Sequence, residues 1–147
     1  MAGESLPYVD TSALAKWYLN EPKSAEFEAW ITSFPAARVS ALTVVEMRSL
    51  LARRRRMGDL EAVLESRVFA TFLEDIRLGF LLREPLQDRH AAGALNLMAS
   101  LPDIPLRTLD ALHLAIACDA GSDTLATADR VMASAAERWG LRVVRFG

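Results

Sequence analysis

The stretch that most constrains the fold is residues 6–14, where a short apolar run ends in a carboxylate and then passes into an apolar pattern of helical period. The run ends at Asp10, and the small hydroxyl residues Thr11 and Ser12 precede Leu14, the first apolar residue of the helical pattern. This order is typical of a buried strand followed directly by a helix. In an open α/β sheet, ligands bind where strands end and helices begin. The sequence therefore places Asp10 at the mouth of a site.

Short apolar runs and longer helical segments alternate to the end of the chain. Further strands are predicted at 38–41, 78–82, 124–127 and 141–146. Helices are predicted after Asp10 and at 22–34, 43–56, 60–76, 85–101, 108–120 and 128–139. Strands that alternate with helices indicate an α/β fold in which a parallel sheet is covered on both faces.

Composition narrows the class of protein. Hydrophobic residues make up 52% of the 147 residues and charged residues 24%, which is typical of a globular chain, and we expect one domain over residues 1–147. No apolar run approaches the roughly 20 residues of a membrane span. The first five residues lack the features of an export signal, so we expect a cytoplasmic protein. The formal net charge of −2 neither supports nor excludes a nucleic-acid partner.

Three further acids occupy positions that correspond to Asp10. Glu46 lies in the first turns of the helix after the second strand, Asp110 begins an alanine-rich helix, and Asp129 follows the strand at 124–127. Each has a structural explanation by itself, because Glu46 completes a capping box and the two aspartates complement helix dipoles. Together, however, the four acids are expected to converge on one edge of a parallel sheet.

Carboxylates brought that close repel one another, and a hard divalent cation removes the conflict. Mg²⁺ or Mn²⁺ prefers carboxylate and water oxygens, and no cluster of histidine and cysteine with zinc spacing competes with this interpretation. A cation held by acids suits phosphodiester hydrolysis, because it can activate water, shield the phosphate and stabilise the leaving oxygen. The pattern therefore indicates metal-dependent cleavage of a phosphodiester.

Four motifs carry a resemblance to a known family. Their sequences are Asp-Thr-Ser-Ala-Leu at 10–14, Leu-Thr-Val-Val-Glu at 42–46, Leu-Asp-Ala-Leu-His-Leu-Ala at 109–115 and Thr-Ala-Asp-Arg at 127–130. In order and spacing they resemble the acidic motifs of PIN-domain ribonucleases, and most closely those of the VapC toxins of bacterial toxin–antitoxin pairs. The likeness covers nearly the whole chain.

The resemblance implies a PIN-like three-layer α/β/α sandwich with a central parallel sheet of four to five strands. It implies that Asp10, Glu46, Asp110 and Asp129 are catalytic and bind Mg²⁺ or Mn²⁺. It further implies endonucleolytic cleavage of RNA to 5′-phosphate and 3′-hydroxyl ends, and inhibition by a cognate antitoxin. Such proteins usually dimerise and can form larger toxin–antitoxin assemblies. The predicted hairpin of the helices at 43–56 and 60–76 has more apolar surface than a thin sheet can cover, so we expect part of it to face another chain.

Position suggests roles for four other side chains. Ser12 and Thr127 each lie beside an acid, and they are explained equally well as helix caps and as residues that support a bound metal or water. Lys16 and Arg48 each lie beyond an acid of the cluster along a helix. We expect these two cations to contact the phosphate backbone of a substrate.

The remaining candidates have mainly structural interpretations. The run Arg53–Arg56 ends a helix, where cations are favoured in any case, and contact with RNA or antitoxin is the alternative. His113 is one turn along from Asp110, although a helix-face histidine with a satisfied ring is favoured. His90 is predicted to lie at the surface, and the single Cys118 is predicted to be buried.

Three other functions compete with the nuclease. A phosphatase with an aspartyl nucleophile wants a second acid two residues after Asp10, where this chain has Ser12. A receiver-like signalling module wants adjacent acids after the first strand and a lysine near the last one, and neither is present. A PIN scaffold that binds RNA or a partner without cleavage is disfavoured by the full set of acids, and a metal-dependent cleavage assay distinguishes it from a nuclease.

Overall fold

A computed structural model describes residues 5–147. Four of the first five residues, which are expected to lack an export signal, therefore lie outside the described residues. Over these residues the chain forms the five strands and seven helices that the sequence predicts, with one or two helices between successive strands. The strands are β1 (Tyr8–Val9), β2 (Ala37–Ser40), β3 (Leu81–Glu84), β4 (Thr124–Thr127) and β5 (Arg142–Arg145). The helices are α1 (Thr11–Tyr18), α2 (Ser24–Ile31), α3 (Ala41–Arg56), α4 (Ala62–Arg77), α5 (Asp88–Ser100), α6 (Thr108–Asp119) and α7 (Arg130–Arg138). None of the helices in this part of the chain is both long and apolar enough to cross a membrane.

The five strands form one parallel sheet in the order β3-β2-β1-β4-β5. Because side chains alternate along a strand, successive residues point to opposite faces, and each face has its own core. Tyr8 and Leu125 pack on the side of α5, α6 and α7, whereas Val9 and Ala126 pack on the side of α1 to α4. The predicted three-layer α/β/α sandwich with a central parallel sheet is therefore confirmed.

Several element boundaries differ from the predictions by one to three residues, and two of these differences have a local cause in the backbone. Pro22 lies before α2 and not in its first turn, because Lys23 takes a left-handed conformation (φ 74°) and the helix begins at Ser24. Strand β3 begins at Leu81, three residues later than predicted, because Gly79 (φ 85°) reverses the chain after α4. An apolar run alone does not indicate where such a turn ends.

The order of the strands brings the functional segments together. Strand β1 lies between β2 and β4, and all three run in the same direction, so the segments that follow them share one edge of the sheet. Helix α6 follows α5 rather than a strand, so Asp110 is not at a strand-to-helix junction as was expected. The α6 N-terminus reaches the same edge because α5 and α6 pack closely, with Gly93 against Ala115.

Candidate active site

A cleft of about 750 Å³ opens at this edge of the sheet. All four acids predicted from the sequence, Asp10, Glu46, Asp110 and Asp129, line it. The cleft is also lined by Thr11, Ser12, Arg53, Arg107 and His113. The side chains predicted to converge therefore do share one cavity, although they lie far apart along the chain.

Asp10 is the most deeply buried of the four acids and caps the N-terminus of α1. Its Oδ1 accepts hydrogen bonds from Ser12 Oγ (2.7 Å) and the Ala13 amide (3.0 Å), and its Oδ2 accepts one from Thr127 Oγ1 (2.5 Å). Burial raises the pKa of Asp10, and these donors oppose the rise by favouring the carboxylate. The three donors hold the side chain in a fixed orientation.

The hydroxyls of Ser12 and Thr127 also bind the segment that leads into α7. Ser12 Oγ accepts from the Ala128 amide (2.9 Å), and Thr127 Oγ1 accepts from the Asp129 amide (3.0 Å). Each hydroxyl thus joins Asp10 to the chain that carries Asp129. Ser12 and Thr127 therefore act between two acids of the cluster and not as simple helix caps.

Glu46 does not complete the predicted capping box, because the Ser40 amide donates to Thr43 Oγ1 instead (2.9 Å). Glu46 Oε1 accepts from Thr11 Oγ1 (2.8 Å) and forms a short hydrogen bond with His113 Nε2. Burial would raise the pKa of Glu46, but the hydrogen bond and charge of His113, with the Thr11 hydroxyl, lower it overall. Both contacts use Oε1, so within residues 5–147 Oε2 receives no hydrogen bond.

Asp110 and Asp129 lie on either side of Arg107. Asp129 caps α7 through Oδ1, which accepts from the Met132 amide (2.9 Å), while Arg107 Nη2 lies 3.4 Å from its Oδ2. Arg107 Nε is 3.8 Å from Asp110 Oδ2, which is buried without a hydrogen-bond partner in the described part of the chain. Burial raises the pKa of Asp110, the charges of Asp129 and Asp10 add to the rise, and Arg107 opposes it.

The donor set fits a hard divalent cation, although the side chains do not form a finished coordination shell. Over residues 5–147, no three acid, histidine or cysteine side chains are close enough to one point to coordinate an ion as they stand. Glu46 and Asp110 each keep an oxygen that no described residue donates to, and Asp129 Oδ2 accepts only from the exposed Arg107. Carboxylate oxygens are the ligand type that Mg²⁺ and Mn²⁺ prefer. A cation among them would also relieve the repulsion that raises the pKa of Asp110.

The two cations expected to contact substrate lie outside the cleft. Lys16 Nζ donates to the Pro22 carbonyl (2.8 Å), 3.6 Å from Glu21, and its side chain is only 9% exposed. Arg48 pairs with Glu65 on α4 and lies over the Phe69 ring. Both side chains serve helix packing, so the structure gives no support to their expected role.

Two other arginines line the cleft in their place. The arginine run at the end of α3 is divided, since Arg54 pairs with Glu21 and Arg55 with Glu65, while Arg53 is exposed and lines the cleft. Helical spacing was the signal that could have identified both cleft arginines. Arg53 lies seven residues after Glu46, and Arg107 three residues before Asp110, so each shares a helix face with an acid.

Comparison with known proteins identifies the family. A family model described as the PIN domain matches residues 8–138. The chain is also 32% identical over 114 residues to Ribonuclease VapC47 of Mycobacterium tuberculosis, an alignment that covers 75% of this chain and 73% of the relative. The chain belongs to the PIN-domain family. Its resemblance to VapC-type members, expected from the four motifs, is confirmed.

Solved structures support the same fold at lower sequence identity. Mycobacterium tuberculosis VapC20, described as a toxin that cleaves the sarcin–ricin loop, has a TM-score of 0.67 at 19% identity and covers 88% of this PIN-domain chain and 94% of its own. A chain of DNA-bound VapBC from Salmonella typhimurium has a TM-score of 0.69 at 17% identity over 98% and 100%. A chain of FitAcB from Neisseria gonorrhoeae has a TM-score of 0.68 at 19% identity and covers 95% of this chain and 97% of its own.

Proposed function

We propose that this PIN-domain protein is a metal-dependent endoribonuclease that acts as a toxin in the cytoplasm and is inhibited by a cognate antitoxin. The observation that carries the proposal is the convergence of four carboxylates, from four separate helices and their caps, on one cleft. The names of the relatives VapC47 and VapC20, a ribonuclease and an RNA-loop-cleaving toxin, support RNA as the substrate.

Asp10, Glu46, Asp110 and Asp129 would hold Mg²⁺ or Mn²⁺. The bound ion would lower the pKa of a coordinated water and stabilise the negative charge that develops on the phosphate. The protein's own contribution is orientation. Ser12 and Thr127 fix the Asp10 carboxylate, and the contacts to Glu46 Oε1 leave its second oxygen directed to other partners.

Arg53 and Arg107 would bind the phosphate backbone of the RNA. Both lie in the cleft beside the acids, and such contacts hold a strand without reading its sequence. Arg107 has a second role in this scheme, because its guanidinium lies close to two carboxylates that a cation would occupy. Metal binding would then release Arg107 to contact substrate.

The proposed protein partners are an antitoxin and a second copy of the chain. The structural neighbours include VapBC and FitAcB, whose names each join two components, and this supports an antitoxin partner. The α3–α4 hairpin leaves apolar side chains exposed, as expected for a surface that faces another chain. These side chains are Val45, Met57, Val63, Leu64 and Leu73. Sedimentation of the purified chain tests dimerisation.

Cleavage of a long structured RNA by the purified protein tests the proposed activity. We expect cleavage with Mg²⁺ or Mn²⁺, none with EDTA, and new 5′-phosphate ends. Asp110→Asn should cut at least roughly 100-fold more slowly, because loss of a metal ligand forfeits several kcal/mol of transition-state stabilisation. The matched control is Asp103→Asn, which removes the same charge from an exposed loop outside the cleft.

Two results would contradict the proposal. RNA that is bound but remains intact with every divalent metal would indicate a scaffold that binds without cleavage. Full activity in Asp110→Asn would separate any cleavage from the carboxylate cluster.

A further inference from the structure

A buried chain of hydrogen bonds ends on Glu46. His113 on α6 is 2% exposed, and its Nε2 faces Glu46 Oε1. Its other ring nitrogen, Nδ1, lies 2.7 Å from the hydroxyl of Tyr8, and that hydroxyl lies 2.8 Å from Ser40 Oγ. Tyr8 and Ser40 have no exposed surface. One line of contacts therefore runs from the middle of the sheet to the cleft.

This arrangement restricts the imidazole of His113 more than packing alone would. An ionised carboxylate can only accept hydrogen bonds, so the proton of that contact lies on Nε2. The Tyr8 hydroxyl fixes the opposite edge of the ring, and the two rings also meet edge to face at 5.7 Å. The ring consequently has one orientation, and its donor is directed at one oxygen of Glu46.

The choice of that oxygen determines what Glu46 can bind. Thr11 Oγ1 donates to the same Oε1, so two donors saturate one side of the carboxylate. Oε2 is left as the oxygen that can bind a ligand in the cleft. Without His113, a carboxylate held by Thr11 alone could turn about its terminal torsion, which is broad in glutamate.

We propose that His113, oriented by Tyr8 and Ser40, is a positioning residue that holds Glu46 Oε2 toward the metal of the cleft. This inference rests on the proposed metal-dependent function. It assigns a functional role to His113, for which the sequence pattern favoured a purely structural one. Partners that orient a metal ligand in this way typically change metal affinity by about 10- to 100-fold when removed.

Titration calorimetry with Mn²⁺ on the purified chain tests the inference, using two substitutions that separate the nitrogens of the ring. The amide nitrogen of His113→Gln reaches about as far as Nε2 and can still donate to Glu46. The shorter His113→Asn can reach only toward Tyr8. We expect His113→Asn to weaken Mn²⁺ binding on the order of 10-fold, and His113→Gln to retain most of the wild-type affinity. If His113 served packing alone, His113→Gln would not bind Mn²⁺ more tightly than His113→Asn, because both amides are polar replacements of a buried ring.

Tyr8→Phe provides a test that removes a single oxygen and keeps the aromatic packing. We expect a several-fold weaker Mn²⁺ affinity, because the ring of His113 loses the contact that orients it. His90→Gln is the matched control. His90 is the other histidine, is 3% exposed and is bonded to the Asp119 carboxylate through Nε2 (2.9 Å), but it does not line the cleft. Its substitution should leave Mn²⁺ affinity unchanged.

The outcomes distinguish this inference from the proposed function. Wild-type protein that binds no Mn²⁺ would overturn the metal-dependent function and the role of His113 with it. If wild type binds Mn²⁺ and the variants His113→Asn, His113→Gln and Tyr8→Phe all bind it with the wild-type affinity, only the role of His113 is overturned. A loss in His90→Gln as large as that in His113→Asn would also overturn it, since the effect would then follow from burying any altered histidine.

Discussion

Replacing Asp110 by asparagine is expected to stabilise the protein without metal and to destabilise it, relative to wild type, with metal. Asp110 Oδ2 is buried without a hydrogen-bond partner in the described chain, and it lies near the charges of Asp129 and Asp10. Leaving a buried polar group unpaired costs about 1–3 kcal/mol, and more when the group is charged, so an uncharged amide in its place lowers the penalty. The side chain is still 17% exposed, and Arg107 lies 3.8 Å away, so we take the lower end of that range. Asp110→Asn should therefore raise the free energy of unfolding in EDTA by about 1 kcal/mol, or the melting temperature by about 3 °C.

Metal should reverse the order of the two proteins. A ligand present at 100 times its dissociation constant stabilises the folded state by about 2.7 kcal/mol. If the amide that replaces the Asp110 carboxylate binds the ion much more weakly, wild type becomes the more stable protein by roughly 1–2 kcal/mol. Urea denaturation of both proteins in EDTA and in saturating Mn²⁺ measures the two differences, with Asp103→Asn as the control for lost charge. A variant that is less stable than wild type in EDTA would refute the reasoning, because the buried carboxylate would then carry no penalty.

The same penalty has a predictable pH dependence. Burial raises the folded-state pKa of Asp110 above its unfolded value, so the unfolded chain loses its proton first as pH rises. Below the unfolded value both states are protonated and the penalty is absent. It develops as the pH passes through the ordinary aspartate range and is complete above the folded-state pKa. In EDTA, the advantage of Asp110→Asn should therefore be larger at pH 7 than at pH 4.

Three further substitutions or reactions test other parts of the structure. Thr127→Val removes a donor to Asp10 and should weaken Mn²⁺ binding about 10-fold by calorimetry, whereas unchanged affinity would show that this hydroxyl does not support metal binding. Glu65→Gln breaks two arginine pairs and should cost about 1 kcal/mol in urea denaturation, with the exposed Arg56→Gln as a neutral control. Cys118 should react with Ellman's reagent in the folded protein, more slowly than a free thiol because burial raises its pKa, and reaction only after unfolding would contradict its exposed position.

The fold was predictable because its signal is spread over the whole chain. The strand at 124–127 was placed without error, since turn residues flank a short apolar run on both sides. Strand β3 was misplaced because Leu78 and Phe80 are apolar but exposed at the end of α4, and nothing local separates them from Leu81. The exposure of a side chain depends on which other elements pack against its segment, and a local sequence pattern carries no information about that packing.

The acids of the cleft were identified from the sequence. Of its basic residues, Arg53 was named only within the run Arg53–Arg56, with RNA contact as the alternative, and Arg107 was missed. A carboxylate at the start of a helix is placed by the helix itself, so Asp10 and Asp129 lie where the pattern predicts. Lys16 has a long side chain that turns to the carbonyl of Pro22, a contact that depends on the path of the following loop. His90 was expected at the surface and Cys118 in the interior, and both predictions were wrong. Each is decided by how α5 packs on α6.

The four carboxylates differ in how many hydrogen bonds they accept from the protein, and this difference argues for a site that binds a cation. Asp10 has three donors and is rigid, while Glu46 and Asp110 each keep an oxygen that no described residue donates to. If every oxygen were saturated by protein donors, a cation would gain little by entering. If none were, four acids in one cleft would oppose folding through mutual repulsion. At Asp110, burial and then the charges of Asp129 and Asp10 oppose the ionised carboxylate, and a bound cation would offset both effects. In variants of this residue, metal affinity and the instability of the metal-free protein should therefore rise and fall together.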